Sequence, residues 1–255
     1  MARPPVAIVS AMRDELHALL PLLNDARTLD LASRRFHRGS IHGHDVVLAL
    51  SGIGKVAAAT TATLLVHEFK VAKLVFTGVA GGLGRGVKVG DVVVAQRLLQ
   101  HDMDASPLFP RFEIPLTGRS RFDADTPLSD ALCVAAQRCL DRGGELVGEA
   151  QLLEFGIDSA LVHRGLVISG DRFVASATHS GELRALLPDA LAVEMEGAAV
   201  AQVCTDFGCR FAVLRTISDR ADDDAHTDFN RFLASVASHY TRAIIDDWLR
   251  HRPHA

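Results

Sequence analysis

Short runs of apolar, β-branched residues recur along the chain, and each has the length of a buried strand. These runs predict strands at residues 6–10, 46–51, 74–77, 92–95, 166–169, 191–194 and 211–217. Apolar residues repeat at helical spacing between several of them, which predicts helices at residues 14–23, 55–69, 129–141, 197–207 and 228–249. Thr227 and Asp228 supply start signals for the last helix. Because strands and helices alternate, the pattern predicts an α/β protein whose mostly parallel or mixed sheet is covered by helices on both faces.

Two of the predicted strands end abruptly in acidic residues. One leads into Glu194, Met195 and Glu196, and the other leads into Ser218 and Asp219. In α/β sheets, binding sites lie at the carboxyl ends of the strands. A carboxylate delivered there is partly desolvated, so its pKa can rise and it can hold or donate a proton near neutral pH. The pattern therefore indicates an active site.

Two glycine-rich segments, SGIGK at 51–55 and TGVAGGLG at 77–84, each follow a predicted strand and are expected to form turns at the same edge. Glycine accepts positive φ and leaves backbone N–H groups open to a ligand. Neither segment has the spacing of a dinucleotide fingerprint or of a P-loop. For either segment alone, a purely structural turn is an equally good explanation. Their position beside acidic strand ends favours a functional one.

Residues 100–127 interrupt the alternation with four prolines and three phenylalanines. Prolines this dense exclude a long helix. A loop of this length is either a functional lid or interface segment, or a connection whose aromatic side chains belong to the core. The sequence leaves both interpretations open.

Composition restricts the classes of partner. The 255 residues are 48% hydrophobic and 23% charged with a formal net charge of -4, and no repeat or linker divides them, so one domain over residues 1–255 is expected. No basic footprint for nucleic acid is evident, and Arg13 interrupts the first apolar run far short of the ~18 residues of a membrane span. We expect neither nucleic acid nor membrane as a partner, and a cytoplasmic location. The four cysteines lack zinc-site spacing and are expected to be reduced, buried thiols.

Eight short segments follow one another in a fixed order: AMRDE at 11–15, SGIGKVAA at 51–58, TGVAGG at 77–82, GDVVV at 90–94, HDMD at 101–104, SGDRF at 169–173, VEME at 193–196 and ISD at 217–219. Together they resemble the 5′-methylthioadenosine/S-adenosylhomocysteine nucleosidases, within the nucleoside phosphorylase superfamily. Each segment alone is unspecific, whereas the ordered set is specific. The resemblance implies a single α/β domain with a twisted mixed sheet, a homodimer, no metal or organic cofactor, and hydrolysis of the N-glycosidic bond of adenine thionucleosides.

The resemblance also implies catalytic roles. Asp219 is similar to the acid that protonates N7 of adenine, with Ser218 orienting it. Glu15 is similar to the carboxylate that binds and activates the attacking water, and Arg215 is expected near that water.

Substrate-binding roles follow in the same way. Glu196 and the neighbouring Met195 resemble a ribose clamp. Phe173 is expected to stack on adenine, while the backbone of Val174 reads the edge of the base. Val79 stands where the family commonly has a serine, a departure that could weaken water placement.

The 5′ end of the nucleoside is described least well by the resemblance. Ile53 and Phe229 are expected to line the thioalkyl end of the site. In the irregular segment, Ala105, Leu108 or Phe109 is expected to reach the pocket of a neighbouring subunit.

The chemistry explains why these residue types are needed. Breaking the C1′–N9 bond leaves positive charge on the sugar and negative charge on the purine, as in glycoside hydrolysis. Asp219 can supply a proton only if its pKa, ~3.9 in an exposed peptide, is raised by desolvation or by a neighbouring anion. Glu196 is expected to stay ionised and to stabilise the developing cation.

Simpler explanations exist for several of these residues. Glu15 lies in the first turn of a predicted helix, where the dipole favours an acidic side chain. Residues 222–224 with His226 could form a solvated acidic loop or, less plausibly, a metal site. His101 and Asp102 are expected to be a structural pair rather than a catalytic one.

Two other functions remain open. A purine nucleoside phosphorylase would need arginines for phosphate, and where phosphorylases resemble one another in carrying an arginine this chain has Val75-Phe76-Thr77. Arg85 and Arg172 could in principle compensate. The other alternative is a nucleoside-binding protein that has lost catalysis.

Overall fold

The computed structural model describes residues 4–221 and 229–253. The strands in these ranges are β1 (Val6–Ser10), β2 (Asn24–Leu31), β3 (Arg34–Ile41), β4 (His44–Leu50), β5 (Lys73–Gly82), β6 (Val92–Gln100), β7 (Phe122–Asp123), β8 (Val162–Ser169), β9 (Ala190–Glu194) and β10 (Arg210–Asp219). The α-helices are α1 (Arg13–Leu19), α2 (Lys55–His67), α3 (Thr126–Leu140), α4 (Gly143–Val147), α5 (Glu149–Glu154), α6 (Ala177–Leu186), α7 (Gly197–Phe207), α8 (Phe229–Phe232) and α9 (Ser238–Arg250).

One mixed sheet contains all of these strands, and part of it closes on itself. The order is β10-β6-β8-β9-β5-β1-β4-β3-β2, and a further pairing of β10 with β5 closes a ring of five strands. Pairing is parallel for β1 with β4 and β5, for β5 with β10, and for β8 with β6 and β9. The predicted mixed α/β architecture is confirmed.

Helices cover both faces of the sheet, as the alternation predicted. Buried apolar residues of α2 and α7 belong to one core cluster, and those of α1, α3 and α9 belong to another. Burial of apolar surface on both faces is the main source of stability for such a layered domain. No helix in the described ranges is long and apolar enough to cross a membrane.

The glycine-rich segment at 77–84 is not a turn, and that prediction was wrong. Gly78, Gly81 and Gly82 continue β5, which pairs here with β10 and β9. A Cβ atom on Gly81 would lie 2.9 Å from both Asp219 Oδ1 and the Cβ of Ala221. These glycines therefore serve to bring β10 and its carboxylate close to β5, rather than to reverse the chain.

The elements missed from the sequence are polar or short; the short ones are β7, α4 and α5. The hairpin of β2 and β3 was not predicted because β2 is almost entirely exposed and has no apolar run. The amphipathic α6 was also missed. The first helix ends at Leu19 instead of residue 23, since Pro21 enters a 3₁₀ turn at Leu20–Leu22.

The irregular segment contains both buried and exposed apolar side chains. Its first residue still belongs to β6, and Phe122 in β7 is buried in the core. Leu108 and Leu116, by contrast, are strongly exposed. The last predicted helix is divided into α8, a π-helical turn at Leu233–Ala237 and α9. Its predicted start signals at residues 227 and 228 lie outside the described residues.

Candidate active site

A cavity of about 160 Å³ opens at the carboxyl ends of β5, β9 and β10. It collects residues that are far apart in the sequence. Nine of the eleven predicted site residues line it: Ile53, Val79, Phe173, Val174, Met195, Glu196, Ser218, Asp219 and Phe229. The other two, Glu15 and Arg215, lie outside its lining.

Asp219 ends β10 with a side chain that is almost buried but still reaches the cavity. The Ser218 hydroxyl donates a hydrogen bond to Oδ2 at 2.7 Å, and the Ala221 amide donates to Oδ1 at 2.7 Å. The register between β10 and β5 shifts between Ile217 and Asp219. Such an irregularity re-aims side chains at the end of a strand. The predicted placement of Ser218 against Asp219 is found.

Glu196 lies just beyond β9 and faces the same cavity. The backbone N–H of Gly54 donates to its Oε1 at 2.8 Å. Burial and the nearby charge of Glu194 raise the pKa of Glu196 to about 7, against the lowering effects of the Gly54 amide and Arg215. Both protonation states are therefore populated near neutral pH, whereas an ionised group was expected from the sequence.

The sequence indicated no role for Glu194, yet it is the most heavily hydrogen-bonded carboxylate of the site. It accepts from Arg215 Nη2 at 2.7 Å and from the Gly197 amide at 2.8 and 2.9 Å, and Ser169 donates to it as well. The Arg215 guanidinium is fully buried, with its carbon 4.1 Å from the centre of the Phe76 ring. A buried carboxylate at a strand end was the available signal for Glu194, but its cationic partner could not be identified from spacing alone.

Glu15 lies in the first turn of α1 and is fully buried; it does not itself line the cavity, but Met12, to which it is hydrogen-bonded, does. It accepts hydrogen bonds from the Met12 amide at 3.2 Å and from the Thr241 hydroxyl at 3.5 Å. Burial raises the pKa of Glu15 to about 7, although the charge of Arg215 opposes this shift. A carboxyl group with a pKa near neutrality is suited to accept a proton at physiological pH.

Two aromatic rings form the outer wall of the cavity. Phe173 and Phe229 meet edge to face, with ring centres 6.4 Å apart and an interplanar angle of 84°. Phe173 is 47% exposed although it is a large apolar side chain. An open aromatic face beside a cavity is a typical stacking surface for a planar ring.

The sequence profile of the phosphorylase superfamily matches residues 5–249. The chain belongs to this superfamily. Within it, the chain is 33% identical to a 5′-methylthioadenosine/S-adenosylhomocysteine nucleosidase from Neisseria meningitidis, solved with methylthio-immucillin-A; the match covers 98% of this chain and 100% of the other, with a TM-score of 0.85. A nucleosidase of the same kind from Streptococcus pneumoniae is 29% identical, with coverages of 97% and 100% and a TM-score of 0.82.

A futalosine hydrolase from Helicobacter pylori is equally similar. It is 33% identical, and the match covers 95% of this chain and 96% of that one, with a TM-score of 0.81. The family resemblance inferred from the eight sequence segments is thus confirmed, and it extends over the whole chain. Nucleosidases and a futalosine hydrolase stand at similar distances, so identity alone does not select the substrate.

A phosphorylase of this superfamily would need cationic side chains to bind phosphate, so the positions of arginine and lysine residues bear on the choice between phosphorolysis and hydrolysis. Arg172 lines the cavity, whereas Arg85 does not. No other arginine or lysine of the described residues lines it. The carboxylates of Glu194, Glu196 and Asp219 line the same space, and the charge of Glu194 is balanced by Arg215. The carboxylates of Glu196 and Asp219 disfavour binding of a phosphate dianion when they are ionised.

A metal centre finds no support in the part of the chain that the structure describes, where no three His, Cys, Asp or Glu side chains are grouped as ligands. The acidic residues 222–224 and His226 lie outside the described residues. His101 and Asp102 interact electrostatically, and His101 is buried. The hydrogen bonds of the Asp102 carboxylate come from Lys55 and the Asp171 amide.

Proposed function

We propose that this protein hydrolyses the N-glycosidic bond of 5′-methylthioadenosine, S-adenosylhomocysteine or both, and releases adenine. The observation that carries the proposal is the single cavity that joins Asp219 and Ser218 to Glu196 and to the exposed face of Phe173. Similarity to nucleosidases over the whole chain supports the same reaction class. The proposed reaction uses no metal or organic cofactor, and we place it in the cytoplasm.

Asp219 acts as the general acid in this proposal. The Ser218 hydroxyl and the Ala221 amide hold its carboxyl group in one orientation at the cavity wall. Adenine stacks on Phe173, its edge is read by the Val174 backbone, and N7 takes the proton from Asp219 as the C1′–N9 bond breaks. A positioned acid of this kind contributes about 10²- to 10⁴-fold to the rate.

Glu196 and Glu15 act on the sugar side. In its ionised form Glu196, beside Met195, accepts hydrogen bonds from the ribose hydroxyls and stabilises the positive charge that develops on the ring. Water forms the new bond to C1′, and its proton passes to Glu15. Arg215, which lowers the pKa of Glu15, keeps part of that group ionised and ready to accept the proton.

The 5′ substituent occupies the apolar end of the cavity, next to Ile53 and Phe229. Val79, which also lines the cavity, offers no hydroxyl group there. Two apolar side chains suit a thioether better than a free hydroxyl group, since burial of an unpaired hydroxyl costs free energy. This favours 5′-thionucleosides over adenosine.

A second candidate substrate is futalosine, because a futalosine hydrolase is as similar to this chain as the nucleosidases are. Arg172, the cation that lines the cavity, makes no hydrogen bond or ion pair with any described residue. It could serve the base or the 5′ substituent of either substrate.

We also propose that the protein is a homodimer. Ile53 and Phe173 combine cavity lining with exposed apolar surface, and Leu108 and Leu116 are exposed in the irregular segment. In the dimer, Ala105, Leu108 or Phe109 of one subunit covers the 5′ end of the other subunit's cavity. Sedimentation analysis should find a dimer, and Leu108→Asp should weaken it and raise KM for thionucleosides; a monomer with full activity would refute this part.

The experiment that tests the function compares kcat/KM for methylthioadenosine, S-adenosylhomocysteine, futalosine, adenosine and inosine. We expect the two thionucleosides to be cleaved best and adenosine poorly. A preference for futalosine would select the second candidate. Tight binding of adenine nucleosides by calorimetry without turnover of any would indicate the non-catalytic alternative, and strict dependence on phosphate would indicate a phosphorylase.

A further inference from the structure

Lys55, Asp102 and Asp171 form a compact charged cluster beside the cavity, although none of the three lines it. Lys55 Nζ donates to Asp102 Oδ1 at 2.6 Å and lies 3.9 Å from Asp171 Oδ2. The Asp171 backbone N–H donates to the other oxygen of Asp102 at 2.9 Å. The cluster therefore connects three segments: the start of α2, the residues after β6 and the residues after β8.

The start of α2 is bound to two carboxylates at once. The first amides of a helix have no partner within the helix and attract negative groups. Here the Gly54 amide donates to Glu196 at 2.8 Å, and the Lys55 amide donates to Asp171 Oδ1 at 2.7 Å. Gly54 has φ of 92°, which suits glycine. The orientation of this turn is thus fixed jointly by Glu196 and by the charged cluster.

The residues after β8 are held close by steric fit as well as by charge. A Cβ atom on Gly170 would lie 2.4 Å from Nε2 of the buried His101 and 3.1 Å from the carboxyl carbon of Asp102. Glycine is needed for this approach, which brings the Asp171 amide onto Asp102. The next two residues, Arg172 and Phe173, line the cavity.

Burial makes the ion pair stronger than an ordinary surface contact. The side chain of Lys55 is 16% exposed, and that of Asp102 is 32% exposed. Burial tends to raise the pKa of Asp102, but the hydrogen bonds from Lys55 and from the Asp171 amide outweigh it and lower the pKa. Asp102 therefore stays ionised throughout the physiological range, and the pair persists.

We propose that Lys55, Asp102 and Asp171 are positioning residues for the reaction: their ion pair fixes the start of α2 against Glu196 and holds the Phe173 segment across the cavity. The kinetic part of this inference rests on the proposed function. The structural part, the fixation of the Gly54 and Lys55 amides, does not. The two parts can therefore be tested separately.

The pKa of Glu196 should change when the charged cluster is disrupted. Besides the Gly54 amide, Arg215 on β10 and a backbone hydrogen bond from Met195 lower its pKa, and Glu194 on β9 raises it. A change at Lys55 leaves these other groups in place. If the start of α2 moves away, Glu196 loses its amide donor and its pKa rises above about 7.

The test uses Lys55→Met and Asp102→Asn in the full chain, with Lys55→Arg as the conservative variant. Arg38→Met is the matched control, because it removes an ion pair of the same length, 2.6 Å to Asp45, on a distant pair of strands. Hydrogen exchange at the Gly54 and Lys55 amides is measured together with kcat/KM as a function of pH. Thermal unfolding checks that each variant is folded. If Lys55→Met or Asp102→Asn does not fold, the other variant alone is sufficient for the test.

We expect Lys55→Met to speed exchange at both amides and to lower kcat/KM by about tenfold, since a displacement of ~1 Å can cost up to ~10²-fold. The acidic limb of the pH profile should move to higher pH, which mere loss of stability would not cause. Lys55→Arg should restore most of the activity. Exchange rates and a pH profile like those of Arg38→Met would overturn the inference. If the wild type cleaves no nucleoside, the proposed function fails, and the exchange rates alone decide the positioning role.

Discussion

Glu194 is the last residue of β9, and Glu196 follows it after Met195. The two carboxylates differ in almost every contact. Glu194 is saturated by Arg215, by Ser169 and by backbone amides of the chain that follows it. Glu196 has the Gly54 amide as a donor and a pKa of about 7. The difference shows how one strand end serves two purposes: a fully paired carboxylate stabilises the fold, and a poorly paired one keeps oxygen atoms available for a ligand.

The same division extends to the rest of the site. Arg215 is fully buried outside the cavity lining, and it is paired with Glu194, which lines the cavity. Asp219, only four residues further along β10, faces the cavity as well. Buried ion pairs of this kind are costly when one partner is removed. Substitution of Glu196 or Asp219 should affect turnover instead. Substitution of Glu194 should therefore lower mainly stability, whereas substitution of Asp219 should lower mainly turnover.

Asp219→Asn tests the cavity side with the largest expected effect. Asparagine keeps the shape of the side chain but cannot release a proton to the base. We expect kcat to fall by at least ~10²-fold with the fold intact. Steady-state kinetics and circular dichroism measure the two quantities. Turnover close to that of the wild type would remove Asp219 from the role of acid.

Glu194→Gln tests the interior side. The substitution leaves the buried guanidinium of Arg215 without a counter-charge, so we expect the free energy of unfolding to fall by about 3–5 kcal/mol. Urea unfolding at pH 7 measures the loss, and Glu196→Gln is the matched control because it removes no buried ion pair. If both variants lost equal stability, the distinction between the two glutamates would be contradicted.

Glu15→Gln should lower activity and raise stability at the same time. Burial raises the pKa of Glu15 from 4.5 to about 7, so the folded protein holds this proton more tightly than the unfolded chain does. The resulting stabilisation is complete below about pH 4.5 and is lost as the pH rises through about 7. Glutamine, which resembles the protonated group, should add about 3 kcal/mol at pH 8 and little at pH 5.

The same variant should lower kcat at least ~10²-fold, because the water loses its proton acceptor. Urea unfolding at the two pH values and steady-state kinetics provide the measurements. A gain in stability that is the same at pH 5 and pH 8 would show that Glu15 titrates normally in the folded protein.

The pH dependence of kcat/KM shows how many carboxylates must be ionised for activity, although the expected effect is smaller. Glu15 and Glu196 both have pKa values of about 7. In the proposed mechanism both act in the ionised form. Activity should therefore fall below pH 7 with a slope that approaches two. In Glu196→Gln the residual activity should fall with a slope of one. An unchanged slope would show that Glu196 does not need to be ionised.

Much of the fold could be predicted because its signals are local. Each predicted strand exists, since buried parallel strands appear in the sequence as continuous apolar runs. The exposed hairpin of β2 and β3 gives no such run, and it was missed. The glycines of β5 were taken for a turn because their partner, the carboxyl end of β10, is about 140 residues away in the sequence.

The candidate site could be predicted where the family resemblance supplied roles, and nine of its residues meet in one cavity. Pairings across the sheet could not be predicted in the same way. Nothing in the spacing of Glu194 and Arg215 indicates that they form a buried ion pair. Likewise, the connection from Lys55 to Asp102 depends on where three strands end, which only the assembled sheet determines.

Hydrolysis and phosphorolysis differ in the nucleophile that attacks C1′, which is water in one case and phosphate in the other. The protein should be incubated with methylthioadenosine in water labelled with heavy oxygen and in the presence of excess phosphate, and the sugar product analysed by mass spectrometry. We predict free methylthioribose that carries the label at C1′, with adenine released at the same rate when phosphate is omitted. A sugar 1-phosphate as the product, with no adenine released when phosphate is omitted, would show that phosphate and not water is the nucleophile.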